Sequence, residues 1–207
     1  MRTQPKRGRG RQQAAAHDEK RLQIIERCAR LFDSGSYHRA TMQMLADEVG
    51  LGKPTLYHYF RSKTDILFAI HQKHIEALIE GLDSQERQQA TPRERLVSAG
   101  RDILLEIAEH PGYVRAFFEH YGELEGAQRA EIRARREHYF AKICAIVRAG
   151  IAAGSFRDCD VQLTAYGFLG LCSWAYQWYP RIAGKVAALE AAETLCDTFL
   201  RGLQRAS

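Results

Sequence analysis

The chain has 207 residues, of which 45% are hydrophobic and 27% charged, a balance that excludes a chain disordered throughout. Its 5 prolines and 16 glycines exclude collagen-like and low-complexity classes. The formal net charge is +5, but residues 1–64 carry +7 and the remainder −2. A basic part suited to a polyanion such as DNA therefore precedes a nearly neutral body, although a solvated basic tail without a partner has the same composition.

Membrane and secretion signals are weak. No apolar run reaches the ~20 residues of a bilayer-spanning helix, and no apolar region follows the basic N-terminus as in a secretory signal. The five cysteines are odd in number and form no C-x-x-C pair, which indicates reduced thiols that fill a core. We therefore expect a cytoplasmic protein without a membrane partner.

Apolar residues recur at helical spacing along most of the chain, and no stretch shows the period of two that is typical of strands. Residues 1–17 lack a pattern and are predicted to be a flexible basic arm, and Gly35 is expected to end the first helix. We predict an all-α fold with three helices over residues 18–64 and six helices over residues 65–207. In chain order, the predicted helices are 18–33, 42–49, 53–60, 63–82, 92–109, 113–121, 125–153, 161–179 and 185–203.

Two short helices around Gly50 have the dimensions of a helix-turn-helix. Thr41 can cap the first, the small Ala46 lets the second cross close by, and Gly50 can adopt a positive φ at the turn. A buried seam is expected from Leu45, Val49, Leu51, Leu56 and Phe60. The outer side of the second helix carries hydrogen-bond donors and flat rings that suit phosphates and base edges, namely Lys53, Thr55, Tyr57, His58 and Tyr59.

Two other glycine motifs fail at this position. Gly52-Lys53 resembles the end of a phosphate-binding P-loop, but Asp47 stands where that loop needs its first glycine, and no Ser or Thr follows the lysine directly. Gly50 and Gly52 lack the third glycine and the preceding strand of a dinucleotide-binding turn. The segment is therefore interpreted as a DNA-binding motif.

Residues 41–60, TMQMLADEVGLGKPTLYHYF, followed by Arg61-Ser-Lys63, resemble the DNA-binding signature of TetR-family transcriptional regulators. The resemblance implies a DNA-binding domain over residues 18–64, an effector-binding and dimerisation domain over residues 65–207, and a dimer that binds double-stranded DNA at a palindromic operator. Two roles for Tyr59 stay open, a DNA contact or a place in the interior of the head. The sequence adds the basic arm Arg2–Arg11, which either reaches the adjacent minor groove or only adds non-specific affinity. The implied DNA contacts are Thr41 and Met42 near a phosphate, Lys53, Pro54 and Thr55 in the groove, and Tyr57, His58 and Lys63 on the backbone.

The same resemblance implies a small-molecule effector in the second half of the chain, where aromatic side chains cluster and both tryptophans lie. Such a cluster lines a large apolar pocket or simply fills a core. The candidate ligand-binding residues are Phe117, Phe118, Tyr121, Tyr166, Trp174 and Trp178. Residues 169–179, LGLCSWAYQWY, resemble the corresponding segment of TetR-like regulators that sense acyl-coenzyme A thioesters of lipid or steroid catabolism. Arg115, Arg148 and Arg181 are candidates to bind the phosphates of such a thioester.

Small residues at three-residue spacing indicate a helix-pair interface. Gly167, Gly170 and Ser173 lie on the predicted helix 161–179, and the last helix is apolar on one face. Two such helix pairs would form a four-helix bundle across a two-fold axis. We therefore expect a homodimer through the last two helices, with recognition helices about 34–36 Å apart.

Signals for an enzyme are weak, and no catalytic residue, metal or cofactor is predicted. His71 and His74 share a helix face, but no obvious ligand set completes a metal site around them. The paired carboxylates Glu106/Glu109 and Glu119/Glu123 suit a helix surface as well as a catalytic pair. The expected function is a ligand-released repressor, with two alternatives: a helical enzyme or carrier that bears a DNA-binding appendage, and a non-specific DNA binder without ligand control.

Overall fold

The computed structural model describes residues 7–32, 37–183 and 186–204, and within these ranges the chain forms helices and turns with no strand. This confirms the all-α prediction. Two short 3-10 turns, Tyr121–Glu123 and Tyr179–Arg181, accompany the α-helices. The α-helices are α1 (Arg7–Leu31), α2 (Met42–Val49), α3 (Lys53–Tyr59), α4 (Lys63–Arg87), α5 (Pro92–Glu109), α6 (Pro111–Glu119), α7 (Gly126–Ala152), α8 (Val161–Ser173), α9 (Ala175–Trp178) and α10 (Ala188–Leu203).

An N-terminal head consists of α1, α2, α3 and the start of α4. The predicted seam is confirmed, since Leu45, Val49, Leu56 and Phe60 are buried and Leu51 is partly buried against the same core. Helix α1 packs on α2 and α4. These helices can fold as one unit because each buries an apolar face against its neighbours.

The body is organised around α5, which contacts α4, α6, α7, α8 and α10. Helix α10 approaches α5 closely at Gly100, where an added Cβ would lie 2.3 Å from the Sγ atom of Cys196. Helix α5 buries its apolar side, including Leu96, Ile103 and Leu104, in the core. Among the described residues, no helix combines the length and apolar character needed to cross a bilayer.

Head and body are joined by two contacts. Helix α4 begins in the head, where the Ser62 hydroxyl accepts a hydrogen bond from the backbone N–H of Asp65, and it continues into the body against α5, α6 and α7. Helix α6 also packs on α1, with Gly112 pressed against the Ala29 carbonyl. A displacement of α4 or α6 in the body is therefore transmitted to the head.

Several predicted boundaries were wrong. Helix α1 begins at Arg7 rather than Asp18, because Ala, Arg and Gln residues readily extend a helix that packing has already nucleated. Helix α4 continues past Leu82 to Arg87, where the Lys142 ammonium pairs with two carboxylates of its last turn. Gly35, Lys185 and residues 1–6 of the predicted arm lie outside the described residues.

The predicted single helix over residues 161–179 is interrupted at Trp174. Helix α8 ends at Ser173, a four-residue α9 follows, and the chain then tightens into the 3-10 turn. Pro180 stops the α-helical run after α9, because it has no N–H for the helical ladder. Trp174, at the interruption itself, has 63% of its surface exposed.

Candidate DNA-binding surface and effector cavity

The helix-turn-helix is built by local hydrogen bonds. The Thr41 hydroxyl accepts from the backbone N–H of Met44 at 3.2 Å and begins α2. Gly50 adopts φ +68°, ψ +36°, and the N–H of Leu51 donates to the Ala46 carbonyl at 2.9 Å. A glycine in the left-handed conformation at this position is a common way to end a helix, and it sets the angle between α2 and α3.

Helix α3 presents its polar side chains to solvent. Lys53, Pro54, Thr55, Tyr57 and His58 are exposed, while Leu56 between them is fully buried. Pro54 stands in the first turn, where its missing N–H removes no helical bond. An exposed, positively charged α3 above a buried seam has the form of a recognition helix.

The remaining predicted DNA contacts differ in accessibility. Thr41 is exposed and Met42 is half-buried. The Lys63 ammonium donates to the carbonyls of Tyr37 at 3.0 Å and His38 at 3.4 Å, and it lies 4.7 Å from the centre of the Tyr37 ring. Lys63 therefore braces the segment before α2, which leaves one of its three donors for a phosphate.

Tyr59 lies on the inner side of α3 and is half-buried, stacked on His17 of α1 at 4.7 Å between ring centres. The neighbouring Phe60 is buried beneath the Arg21 guanidinium at 4.9 Å. These contacts fasten α3 to α1 from behind. They favour the interpretation of Tyr59 as part of the interior of the head.

A cavity of about 470 Å³ lies in the body between α4, α5, α6, α7 and α8, within the usual size range of small-molecule sites. Most of its wall is hydrocarbon, which suits an apolar ligand. The apolar lining residues are Ile75, Leu78, Ile103, Ile107, Val114, Phe117, Phe118, Phe140 and Leu169. Polar groups come from His74, Arg136, Glu137, Tyr139, Tyr166 and Ser173.

The structure places three of the six predicted ligand-binding residues in this wall: Phe117, Phe118 and Tyr166. The other three do not line it. Tyr121 lies behind the wall in the 3-10 turn after α6, Trp174 is exposed, and Trp178 is half-buried with its ring edge to Tyr179. Both tryptophans follow the interruption after α8 and lie outside the cavity wall.

The three arginines considered for coenzyme A phosphates lie outside the cavity wall. Arg115 pairs with Glu119 on α6 at 3.1 Å, and Arg148 and Arg181 are exposed. Arg136 lines the wall instead and was not predicted. Its guanidinium carbon lies 4.3 Å from the ring centre of Phe117 and 4.6 Å from that of Tyr121. Four arginines occur within residues 129–136, and only the packing shows which one turns inward.

The two histidines considered as metal ligands are buried on α4. His74 Nδ1 lies 3.1 Å from the Glu106 carboxylate, a distance at which the ring N–H donates to it. His71 is fully buried, and neither ring nitrogen has a hydrogen-bond partner of good geometry in the described part of the chain. Within those same residues, no group of three His, Cys, Asp or Glu side chains could hold a metal ion.

Burial lowers the pKa of His71 to about 3, and the positive charge of Arg136 and the neighbouring His74 and His120 act in the same direction. The Ala116 carbonyl opposes this shift more weakly. Near neutral pH the imidazole is therefore uncharged. It packs against the Phe117 ring, with 5.3 Å between ring centres.

Helix α6 and the residue that follows it connect the cavity wall to the head. Phe117 lines the cavity, and His120, at the end of the same helix, is buried and stacks on Tyr37 at 5.0 Å. Tyr37 precedes α2 and is held by Lys63 through its carbonyl and its ring. The cavity wall is thus connected, through α6 and His120, to the segment that precedes α2.

Large apolar side chains are exposed on both α8 and α10. Leu163 is 72% exposed and Tyr166 61% exposed on α8, and Leu189 is 38% exposed on α10. No atom lies within 4 Å of a Cβ built on Gly170 of α8, which also borders the cavity. Large exposed apolar groups on adjacent helices are typical of a protein interface.

Family comparison decides how these features are to be understood. Residues 24–70 match the model of bacterial regulatory proteins of the tetR family, and residues 89–203 match the tetracyclin repressor-like C-terminal domain. The chain belongs to the TetR family. Its relatives are transcriptional regulators, and this argues against the alternative in which a helical enzyme carries a DNA-binding appendage.

Two curated TetR relatives differ in how much of their length is matched. The transcriptional activator FasR of Mycolicibacterium smegmatis is 31% identical over 64% of this chain, which spans only 61% of FasR. The transcriptional repressor KstR2 of Rhodococcus jostii is 28% identical, with 89% of this chain and 91% of KstR2 covered. Among solved structures, AibR in complex with isovaleryl coenzyme A and operator DNA has a TM-score of 0.76 and 27% identity, covering 89% of this chain and 98% of AibR.

Proposed function

We propose that this TetR-family regulator is a homodimeric repressor that binds a palindromic operator and is released by a small, largely apolar effector. The observation that carries the proposal is the apolar cavity beside α4 and α6, the two helices that also contact the head. As a DNA-binding regulator, it would act in the cytoplasm. Lys53, Pro54 and Thr55 would enter the major groove, while Thr41, Met42, Tyr57, His58 and the remaining donor of Lys63 would contact the backbone.

The dimer is supported by the exposed apolar face of α8 and α10. Pairing this face with its copy would cover Leu163, Tyr166 and Leu189 in an isologous four-helix interface. The two copies of α3 would then face successive major grooves, about 34–36 Å apart, and the half-sites would form a palindrome.

Acyl-coenzyme A thioesters are the first effector class to test. The solved AibR complex contains isovaleryl coenzyme A, and the hydrocarbon wall here suits an acyl chain. Release requires that the effector bind more tightly to a geometry that does not fit the operator. A ligand against Phe117 would shift α6, and the contact of His120 with Tyr37 would carry that shift to the segment before α2.

The decisive experiment is selection of bound duplexes from a random DNA pool at moderate salt, followed by gel-shift titration of the recovered site with decanoyl-CoA. The proposal predicts a palindrome, and release of the DNA by the thioester. Recovery of no common sequence would indicate a non-specific binder and overturn it. A reporter under the recovered site tests the sign of regulation, and lower transcription after deletion of the regulator would indicate an activator, as the FasR relative is named.

A further inference from the structure

Arg136 is a cation in an apolar wall without a matching anion. In the described part of the chain no carboxylate lies within ion-pairing distance of its guanidinium, which rests between the rings of Phe117 and Tyr121. Burial lowers the pKa of this arginine, yet the group stays charged because arginine does not deprotonate in proteins. Stacking on the two rings offsets part of the cost of desolvation, but it supplies no hydrogen-bond acceptor.

Tyr139 is a second donor without a partner. It lines the same cavity three residues further along α7, and only 5% of its surface is exposed. Its hydroxyl has no hydrogen-bond partner among the described residues. A buried, unpaired hydroxyl in a binding cavity costs free energy until a ligand supplies an acceptor.

Two other polar groups of the wall already have partners. His74 is paired with the Glu106 carboxylate at 3.1 Å, and Glu137 is exposed beside Arg133 at 3.9 Å. The unmet requirement of the cavity is therefore for hydrogen-bond acceptors and negative charge. The surrounding hydrocarbon requires an apolar chain on the same molecule.

We infer that the effector bears an anionic oxygen group on an apolar chain, that Arg136 binds the anion, and that Tyr139 donates to an acceptor on the same ligand. This inference rests on the proposed function, since it concerns the same cavity. The anionic group is either the carboxylate of a free acid or a phosphate of an acyl-coenzyme A thioester. In both cases a neutral molecule with the same chain lacks the feature that Arg136 recognises.

Calorimetric titration of the full-length protein with decanoate, decanoyl-CoA and decanol tests this. We expect at least one anionic probe to bind more tightly than decanol. Replacement of Arg136 by Met should weaken that probe about 10- to 100-fold, as expected for a charge-assisted hydrogen bond, and leave decanol unchanged. Which of the two anionic probes loses affinity identifies the source of the anion. The matched control is Arg148→Met, an exposed arginine of the same helix outside the cavity.

Tyr139→Phe is a second variant, which tests the inference even if Arg136→Met fails to fold, because it removes one oxygen atom and keeps the ring. It should weaken the same anionic probe about 3- to 10-fold while the melting temperature of the free protein stays equal or rises. The inference is overturned if decanol binds as tightly as both anionic probes, or if folded Arg136→Met binds every probe like the wild type. Anion binding that depends on Arg136 but releases no DNA would contradict the proposed function and leave this inference standing.

Discussion

Replacement of Gly112 by Ala tests whether the contact of α1 with α6 holds the head on the body. A Cβ at this position would lie 2.3 Å from the carbonyl oxygen and 2.6 Å from the carbonyl carbon of Ala29, although real Cβ contacts essentially never fall below 3.0 Å. Both neighbours are backbone atoms, so no side chain can rotate away. The two helices must separate by about 1 Å, which weakens the packing around them.

The magnitude follows from two opposing effects. Insertion of a methyl group into a packed interface costs about 1–3 kcal/mol, and the upper part of that range applies because helix backbone must move. The gain from replacing glycine by alanine in a helix is at most ~1 kcal/mol. We expect a net loss of about 1–2 kcal/mol, which for a chain of this size lowers the melting temperature by about 2–8 °C.

The assay is thermal unfolding followed by circular dichroism, together with gel-shift titration of the selected operator. Gly122→Ala is the matched control, because nothing lies within 4 Å of a Cβ built there. The Gly112 variant should melt below both the control and the wild type, and it should bind the operator more weakly because the head is displaced. Equal melting temperatures for the two variants would refute the close contact.

Three further predictions concern the interior, the DNA surface and the dimer. Between pH 6.5 and 3 the unfolded chain binds a proton at His71 that the folded protein does not, so the free energy of unfolding falls with falling pH by up to about 1.4 kcal/mol per pH unit. Urea unfolding at pH 7 and pH 5 should therefore show a smaller loss of stability for His71→Leu than for the wild type. An equal loss in the two proteins would contradict this burial argument. Thr55→Val should reduce operator affinity about tenfold and leave binding to scrambled DNA unchanged in gel shifts; an equal loss on both sequences would remove its base-reading role. Leu163→Glu should yield monomers in analytical ultracentrifugation, and an intact dimer would place the interface elsewhere.

The helix-turn-helix could be predicted from sequence because its signals are local. The Thr41 cap and the left-handed turn at Gly50 each depend on residues within one or two turns of helix. The bounds of α2 agree with the prediction, and α3 differs by one residue at its end. Apolar spacing also identified the buried Leu56 and Phe60, since a short amphipathic helix has only one face to bury.

The first helix and the helix at residues 161–179 were predicted less well, because tertiary packing decides where they start and stop. Helix α1 extends to Arg7 through residues with no apolar pattern, and apolarity alone gave no sign of the interruption after Ser173. Both tryptophans follow that interruption and lie outside the cavity wall. Aromatic composition indicated a binding region, but it could not separate Phe117 and Phe118 in the wall from Tyr121 behind it.

The sequence by itself determined the helical class, the DNA-binding motif and the family, because periodicity, caps and a 20-residue signature lie along a continuous stretch of chain. The tertiary structure alone decided the cavity, the inward turn of Arg136, the unpaired hydroxyl of Tyr139 and the contact of Gly112 with α1. Each of these depends on side chains or backbone from helices far apart in sequence. The direction in which such groups point is set by helix packing, which short-range spacing does not encode.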